Sequence, residues 1–421
     1  MLEGFARAEA MFGVEPVPEA ERFAKYAGMR KAARAADRSV QLPPVTIMHR
    51  SGKNPAGLFQ NACEYCGDCY SGCNAGAKIT VGQTYIADAA HHGAEVFSGS
   101  RAESISQADR GWQILVKDQT GAGGSRQVEA DILVLAAGTM GTTELLLRAK
   151  KRGLALSEML GEKFSANGDD MVLAAELDEP VNAVATGYPT LAPPETPKVG
   201  THSMAMIDLG DEDGHMCLYD GTMINMMAAM APLNAIMEFR LRRAVKLLKD
   251  GIYGDALSRT QLYYIVGQDD ASGRLRLQGD SLFVDWPDYN TSTARVAAEE
   301  KVKTLIEQMG GVFKKNPFES RAFGGNRVIA HPLGGCAMAE TVDDGVVAPD
   351  GRVFDLSNGP NGVHEGLYVC DGAFIPSSLG VSPLLTISAL AERTMMLAAE
   401  RLGRNLDVSS PPRRAQRNAT M

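Results

Sequence analysis

Short apolar runs alternate with glycine-rich turns along most of the chain, and this pattern predicts a mixed α/β protein. A continuous apolar strand at residues 131–137 ends in Gly138-Thr139-Met140-Gly141, and a helix follows at 143–150. Strand, small-residue turn and helix in succession are typical of a doubly wound nucleotide-binding fold, because a ligand can approach the backbone closely there. We therefore predict a βα unit of that kind.

Alternating polar and apolar positions predict antiparallel strands before this unit, at 102–105, 112–117 and 127–134. The cluster Gly121-Ala122-Gly123-Gly124 lies between the last two strands, and no helix follows it. We interpret it as a hairpin turn and not as a phosphate loop. Other elements predicted nearer the N-terminus are two surface helices within 1–38, a strand at 40–49, a Gly/Cys-rich loop at 61–78, a helix at 83–91 and a strand ending at Phe97.

From residue 153 to residue 327 short strands alternate with loops and a few helices, which predicts a mostly antiparallel sheet inserted into the nucleotide domain. The predicted domains are a partial nucleotide-binding domain (1–152), a substrate-binding sheet domain (153–327), a C-terminal catalytic segment (328–403) and a disordered tail (404–421). Predicted strands of the sheet domain lie at 171–176, 200–206, 262–266, 275–278 and 282–285, and predicted helices at 233–249 and 291–309.

The C-terminal segment combines three features of a binding site. A buried-looking strand at 367–370 runs into Asp371-Gly372, and Ser382-Pro383 opens a long apolar helix. The first turn of a helix presents N–H groups without internal partners, so this corner suits an anion or a polar ring edge. His331 lies upstream, followed by Pro-Leu-Gly-Gly. An imidazole that titrates near neutrality can take or share a substrate proton, so His331 is the candidate catalytic residue.

Composition excludes several classes of protein. The net charge is −9 and we see no basic stripe, which argues against nucleic acid as a partner and does not indicate an anionic membrane surface. No apolar run reaches the roughly 18 to 20 residues that span a bilayer. The N-terminus lacks the features of a signal peptide, and the seven cysteines do not suggest an oxidised scaffold. A cytoplasmic location is the resulting expectation.

Several motifs together resemble the glucose-methanol-choline (GMC) family of FAD-dependent oxidoreductases, in its cholesterol-oxidase-like branch. The resemblance covers most of the chain from Cys63 to about Arg393. The motifs are CEYCGDCYSGCNAGAKITVGQTYIADAAHHGAEVF, ILVLAAGTMGTTELLLRAK, LGEKFSANGDD, GRLRLQGDSLFVDWP, HPLGGCAMAETVDDGVVAPDGRVF and LYVCDGAFIPSSLGVSPLLTISALAER. The last two of these motifs are the most specific to the family.

The resemblance implies an enzyme that oxidises the CH–OH group of a hydrophobic alcohol, for example a sterol, by hydride transfer to flavin N5. It implies FAD as cofactor, and it places His331 at the substrate carbon with Ser382 as its partner. The helix start at Ser382, Pro383 and Leu384 would face the pyrimidine edge of the flavin. The other cofactor contacts implied by the resemblance are Ala102 and Gly138 at the adenosine, and Asp371 and Gly372 under the ribityl-pyrophosphate.

Two departures from the family pattern stand out. The family usually has an asparagine immediately before the proline of the helix start, whereas this chain has Ser382, whose hydroxyl lacks the second donor of an amide. The opening βαβ unit with its GxGxxG fingerprint is also missing from the sequence. Either the sequence is a fragment, or a second chain supplies that unit, or the protein no longer binds FAD tightly.

The cysteines Cys63, Cys66, Cys69 and Cys73 have the spacing C-x2-C-x2-C-x3-C of a ferredoxin, although Asn74 replaces the usual proline. They could hold an iron–sulfur cluster, as in some FAD sugar dehydrogenases of this family, or less plausibly zinc. The alternative is a loop with free thiols that packs close to the flavin. With a cluster, the protein would be a dehydrogenase that passes electrons to a cytochrome or a quinone. A non-catalytic remnant, or one half of a two-chain assembly, is a further alternative.

Overall fold

The computed structural model describes residues 1–121, 123–187, 192–210, 215–237, 239–287, 289–319, 328–404 and 406. From residue 407 onward the predicted disordered tail lies outside the described residues. Within them the helices are α1 (Leu2–Phe12), α2 (Ala24–Ala35), α3 (Tyr85–His91), α4 (Gly138–Lys151), α5 (Asn225–Ala229), α6 (Ala231–Met237), α7 (Leu241–Asp250), α8 (Asp255–Ser258), α9 (Thr293–Gln308) and α10 (Leu384–Arg401).

The strands, numbered in chain order, form five sheets. They are β1 (Val40–Gln41), β2 (Gly52–Lys53), β3 (Phe59–Gln60), β4 (Ser100–Gln107), β5 (Trp112–Asp118), β6 (Ser125–Ala130), β7 (Leu133–Leu135), β8 (Asp170–Ala175), β9 (Met206–Asp208), β10 (Met216–Gly221), β11 (Gln261–Gly267), β12 (Arg274–Gln278), β13 (Ser281–Asp285), β14 (Val312–Lys315), β15 (Arg352–Phe354) and β16 (Val363–Val369).

The largest sheet has six strands in the order β1-β9-β10-β11-β8-β14, and all of its pairs are antiparallel. Because side chains alternate along a strand, the sheet has two distinct faces. One face packs against α2 and α9, and these helices leave the other face uncovered. Tyr263 and Ile265 lie on the helix-covered face, in one core with Met29 of α2 and Ile306 of α9. The opposite face carries Tyr219, Tyr264 and Met171, which are neighbours across β10, β11 and β8.

The second lobe is built around the parallel pair β16 and β7, with β15 antiparallel on the far side of β16. Its core joins apolar residues of these strands to α4 and to the antiparallel sheet β4-β5-β6, with Trp112 and Phe374 among the largest buried side chains. The predicted βα unit is present as β7 and α4, and the predicted hairpin between β5 and β6 is also present. The mixed α/β fold class predicted from the sequence is confirmed.

Several predicted elements are wrong in their bounds or in kind. The strand predicted at 40–49 is reduced to β1 plus isolated bridges, because two prolines interrupt its ladder. No strand ends at Phe97 in the described chain, and β9 replaces the strand predicted at 200–206. The helix predicted at 233–249 is two helices, α6 and α7. Five strands, β2, β3, β10, β14 and β15, were not predicted.

Core packing brings N-terminal residues to the six-stranded sheet. Strand β1 pairs with β9, and α2 belongs to the core on one face of the sheet. The predicted domain boundaries at 152, 327 and 403 stay a prediction. In the structure, residues within the first 45 positions share a hydrophobic core with segment 153–327, although the two are distant in sequence.

A buried ion pair ties α2 to the sheet. Lys25 Nζ lies 2.7 Å from Asp220 Oδ2, and neither side chain is exposed. Asp220 Oδ1 accepts hydrogen bonds from the backbone N–H groups of Met204 and Ala205 at 2.7 and 2.8 Å. The pair therefore holds the loop after Thr201, which lines the cavity described below, against the core.

Replacing Lys25 by methionine is expected to destabilise the protein by about 3–5 kcal/mol, because it leaves the Asp220 carboxylate buried without a counter-charge. Urea unfolding measures the loss. The double variant Lys25→Met/Asp220→Asn should recover most of it, since the amide oxygen still accepts the two backbone N–H groups. Lys31, also on α2, pairs with exposed Asp178 at 3.0 Å, so Lys31→Met should cost less than about 1 kcal/mol. Equal losses for the two single variants would contradict this assignment.

Candidate active site

A cavity of about 220 Å³ lies between the open face of the six-stranded sheet and the C-terminal lobe. Tyr219, Tyr264 and Met171 form its floor, and His331 and Ser382 contribute from the C-terminal lobe. The structure thus brings together on one cavity the two residues that the sequence singles out as catalytic. Most of the remaining lining is aromatic or aliphatic, so the cavity suits an apolar molecule.

The imidazole of His331 is held by a carboxylate. Asp169 Oδ1 lies 2.8 Å from His331 Nδ1, and Asp169 Oδ2 accepts hydrogen bonds at 2.8 Å from the backbone N–H groups of Ala330 and His331. Asp169 is buried, whereas the side chain of His331 remains partly open to the cavity. A carboxylate beside Nδ1 favours the tautomer with the proton on that nitrogen, which leaves the lone pair on Nε2.

Ser382 lies just before the start of α10, beside the buried Tyr219. Its backbone N–H donates to Tyr219 Oη at 3.5 Å. Burial raises the pKa of Tyr219, so the phenol keeps its proton. Tyr219 and Ser382 thus place two hydroxyl groups at the cavity on the C-terminal side of the sheet.

A second polar corner of the cavity is formed by His202, Thr222 and Tyr70. Thr222 Oγ1 lies 3.2 Å from His202 Nδ1, and the ring of Tyr70 packs 4.3 Å from the ring of His202. Burial lowers the pKa of His202 to about 3, and the positive charges of Lys25 and Lys78 act in the same direction. His202 is therefore a neutral histidine, unlike a proton-exchanging base.

The predicted cofactor residues Gly138, Asp371 and Gly372 also meet in space. Asp371 accepts hydrogen bonds from the Thr142 hydroxyl and from the backbone N–H groups of Ala373 and Gly138. Burial raises the pKa of Asp371, partly offset by these bonds. A side chain at Gly372 would lie 2.7 Å from Thr139 Oγ1, so only glycine fits the contact between β16 and α4.

These residues fit a flavin at three points. Gly138 has a φ of +75° and faces open space, so a ligand can approach the start of α4. Pro383 at the start of α10 supplies no side-chain cap, so the first N–H groups of an 18-residue helix remain for a ligand. Pro383 is buried and Leu384 is exposed. Ala102 lies half-buried on β4, which packs against α4.

The same core also anchors the histidine. The Thr139 hydroxyl of α4 donates to the Pro332 carbonyl at 2.7 Å, and the Gly334 N–H donates to the Gly372 carbonyl at 3.0 Å. His331 is therefore fixed between Asp169 on one side and the predicted flavin residues on the other.

The four cysteines of the 61–78 loop are free thiols, each partly buried. Burial raises the pKa of Cys63 to about 12, and it also raises the pKa of Cys66 and Cys69. In the described chain the one group of three or more His, Cys, Asp or Glu residues whose ligand atoms all lie within 4.8 Å of one another is elsewhere, at Asp208, His215 and Cys217. The four cysteines do not form such a group in this structure, and a zinc site there stays a prediction. The iron–sulfur cluster stays a prediction.

Sequence reasoning missed Asp169 and Tyr219 as members of this site. Asp169 lies in the segment LGEKFSANGDD, whose paired acidic residues after Asn-Gly were a signal that could have been used. Tyr219 lies on β10, a strand that was not predicted, so no signal pointed to it.

Comparison with known proteins agrees with these observations. Profiles of the GMC oxidoreductase family match residues 23–164 and 270–391. A cholesterol oxidase of Acinetobacter baumannii is 26% identical over 382 residues, which cover 81% of this chain and 62% of that protein. The long-chain-alcohol oxidase FAO4B of Arabidopsis thaliana is 24% identical over 368 residues, which cover 78% of this chain and 45% of that protein. The chain thus spans less than two thirds of the length of these relatives.

Solved structures share the fold. Pyridoxine 4-oxidase from Mesorbium loti superposes with a TM-score of 0.53 at 16% identity, over 93% of this chain and 72% of that one. A fungal aryl-alcohol oxidase superposes with a TM-score of 0.52 at 13% identity, over 91% and 72% of the two chains. In the part of the chain that the structure describes, no helix has the length and apolar character needed to cross a bilayer.

Proposed function

The chain belongs to the GMC oxidoreductase family, and from that premise we propose that it oxidises the CH–OH group of a hydrophobic alcohol to a carbonyl. The observation that carries this proposal is the His331–Asp169 pair at the edge of an apolar cavity, with the backbone after His331 bonded to Thr139 and Gly372 beside the predicted flavin residues. Similar proteins include a cholesterol oxidase and a long-chain-alcohol oxidase, so sterols and long-chain alcohols are the substrates to test first.

His331 acts as the base in this proposal. Removing the hydroxyl proton is necessary because the oxygen must become a carbonyl, and Nε2 of an imidazole with its proton on Nδ1 can accept that proton. Asp169 keeps the imidazole in this tautomer and stabilises the imidazolium once it is protonated. Ser382 and Tyr219 add hydroxyl groups that can orient the alcohol oxygen.

Bound FAD would accept the two electrons and the hydrogen that leave the substrate carbon. The chain's own contribution is to hold that cofactor by Gly138, Asp371, Gly372, Ala102 and the start of α10. The N–H groups at the start of α10 favour negative charge nearby. The apolar side chains in the cavity lining disfavour water beside the reacting centre.

The phosphate end of the cofactor site remains a proposal of its own. We propose that a βαβ segment with the GxGxxG loop, outside these 421 residues, pairs with the edge of β7. Among the described residues β7 pairs only with β16, and its other edge is unpaired. Val134 of β7 and Ile132, just before this strand, are exposed. An unpaired parallel edge beside exposed apolar side chains is the surface that such a unit covers.

Purification of the 421-residue chain, followed by its visible spectrum and by FAD titration, tests these proposals. Flavin bands that bleach anaerobically when a long-chain alcohol or a sterol is added support the proposed reaction. Bound flavin that no alcohol bleaches would overturn it. A colourless protein that binds FAD only after co-expression with a βαβ segment supports the missing-unit proposal. A broad iron–sulfur band beside the flavin bands would instead support the dehydrogenase with a cytochrome or quinone partner.

A further inference from the structure

A surface at the rim of the cavity is both apolar and basic. It is formed by α5, α6 and α7, and we call it the α5–α7 surface. Its exposed large side chains include Phe239 (92% exposed), Leu248 (66%) and Leu241 (64%). Exposed apolar side chains scattered singly are normal, but a cluster on one surface marks an interaction site. The further members of the cluster are Met226, Leu233, Ile236, Met237 and Val245.

The arrangement on α7 is ordered into three stripes. Ala244 and Leu247 face the core. Leu241, Val245 and Leu248 recur at helical spacing and are exposed, so they form an apolar stripe beside the buried one. Arg242, Lys246 and Lys249 recur at the same spacing one position later and form a basic stripe on the other side of the apolar one.

The local charge of this helix is opposite to that of the whole chain. Residues 240–250 contain five basic residues and one acidic residue, whereas the chain has a net charge of −9. Arg243 pairs with Glu176 at 2.6 Å and Lys246 with Asp255 at 3.3 Å. Within the described residues Arg242 and Lys249 have no carboxylate partner. The sequence-based expectation of no basic stripe is therefore wrong for this helix.

We propose that the α5–α7 surface docks on a membrane surface that contains anionic lipids, with α7 lying in the plane of the bilayer. An exposed apolar stripe flanked by lysine and arginine is the pattern of an interfacial helix: the apolar stripe enters the acyl boundary while the cations reach the headgroups. A protein partner would not require a basic stripe parallel to the apolar one, whereas an anionic bilayer presents both chemistries side by side.

The α5–α7 surface adjoins the cavity, so docking would bring the cavity close to the bilayer. Ile224, just before α5, and Met227 of α5 line the cavity, so α5 contributes both to the apolar surface and to the cavity wall. An apolar alcohol dissolved in the bilayer could enter the cavity without crossing water. This last step rests on the proposed function, whereas docking itself does not.

Co-sedimentation of the full chain with vesicles tests the proposal. Vesicles of phosphatidylserine and phosphatidylcholine in equal parts should pellet the protein, vesicles of phosphatidylcholine alone should pellet less, and added salt should release it. Arg242→Glu/Lys249→Glu should weaken partitioning by more than about 25-fold, because the loss of each basic residue near an anionic surface contributes about a factor of five and each new carboxylate adds repulsion. Phe239→Ser/Leu248→Ser should also lose binding.

The matched controls lie on other surfaces. Arg152 is exposed at the end of α4 and Phe59 is exposed on β3, so Arg152→Glu and Phe59→Ser should bind like the unchanged protein. The proposal is overturned if the unchanged protein stays in the supernatant, or if the α5–α7 variants bind as well as the controls. It is also overturned if light scattering shows a dimer that Phe239→Ser/Leu248→Ser dissociates while vesicles bind neither form. Vesicle binding needs no turnover, so failure of docking is separate from failure of the proposed reaction.

Discussion

His331→Ala is expected to lower the turnover of a hydrophobic alcohol by about 100-fold to 10,000-fold, the usual contribution of a general base. Flavin content should stay unchanged, because the contacts that fit the flavin come from Gly138, Asp371 and the start of α10. The measurement is the anaerobic rate of flavin reduction per bound flavin. Added imidazole should restore part of the rate, since it can occupy the space left by the side chain.

The control for this variant is His91→Ala, an exposed histidine on α3 that lies outside the cavity. It should turn over like the unchanged protein. Loss of flavin from His331→Ala with a normal rate per remaining flavin would show that His331 is a structural residue. Either result requires a form of the protein that holds FAD, so the co-expressed form is used if the chain alone is colourless.

Asp169→Asn is expected to lower turnover by about 100-fold or more, although the side chain keeps its shape. The amide oxygen can still accept the backbone N–H groups of Ala330 and His331, which directs the NH₂ group towards His331 Nδ1. That group donates, so Nδ1 becomes an acceptor and the proton moves to Nε2, the nitrogen that must be free to accept the substrate proton. Asp169 is a positioning residue in this argument.

A structural role for Asp169 predicts a different result. Its loss would then lower thermal stability, and Asp169→Glu would not restore the rate. We expect instead that thermal stability changes little while the rate per bound flavin falls, and that Asp169→Glu recovers part of that rate. Asp269→Asn is the matched control. Asp269 accepts N–H groups of Ala166 and Gly168 in the same loop but makes no contact with His331, so it should change stability alone.

The sequence predicts some elements well because their signals are local. The βα unit at β7 and α4, the hairpin of β12 and β13 and the helix that begins after Pro383 each combine a hydrophobic period with turn residues at the right places. The prediction of one helix at 233–249 is wrong because a local signal misses the interruption: the apolar residues continue through this segment without a strong helix breaker. The separation of α6 from α7 comes instead from the packing of α7 against the sheet domain.

Two other predictions, the missing phosphate loop and the iron–sulfur cluster, do not rest on local periodicity. The GxGxxG unit is inferred from a family pattern that the sequence lacks, and the free edge of β7 is where the structure would accept it. The iron–sulfur prediction rests on cysteine spacing and on the family resemblance, and neither shows whether four sulfur atoms converge on one point in the folded chain.

By itself the sequence indicates the family, and it places the corner made by the end of β16, Asp371-Gly372 and the start of α10, because the motifs that carry both lie between His331 and α10. Only the tertiary structure decides what completes that corner. Asp169 reaches His331 across 162 positions, and Tyr219 reaches Ser382 across 163. Such contacts depend on strand order and register, which arise from long-range pairing and leave no periodic signal in the chain.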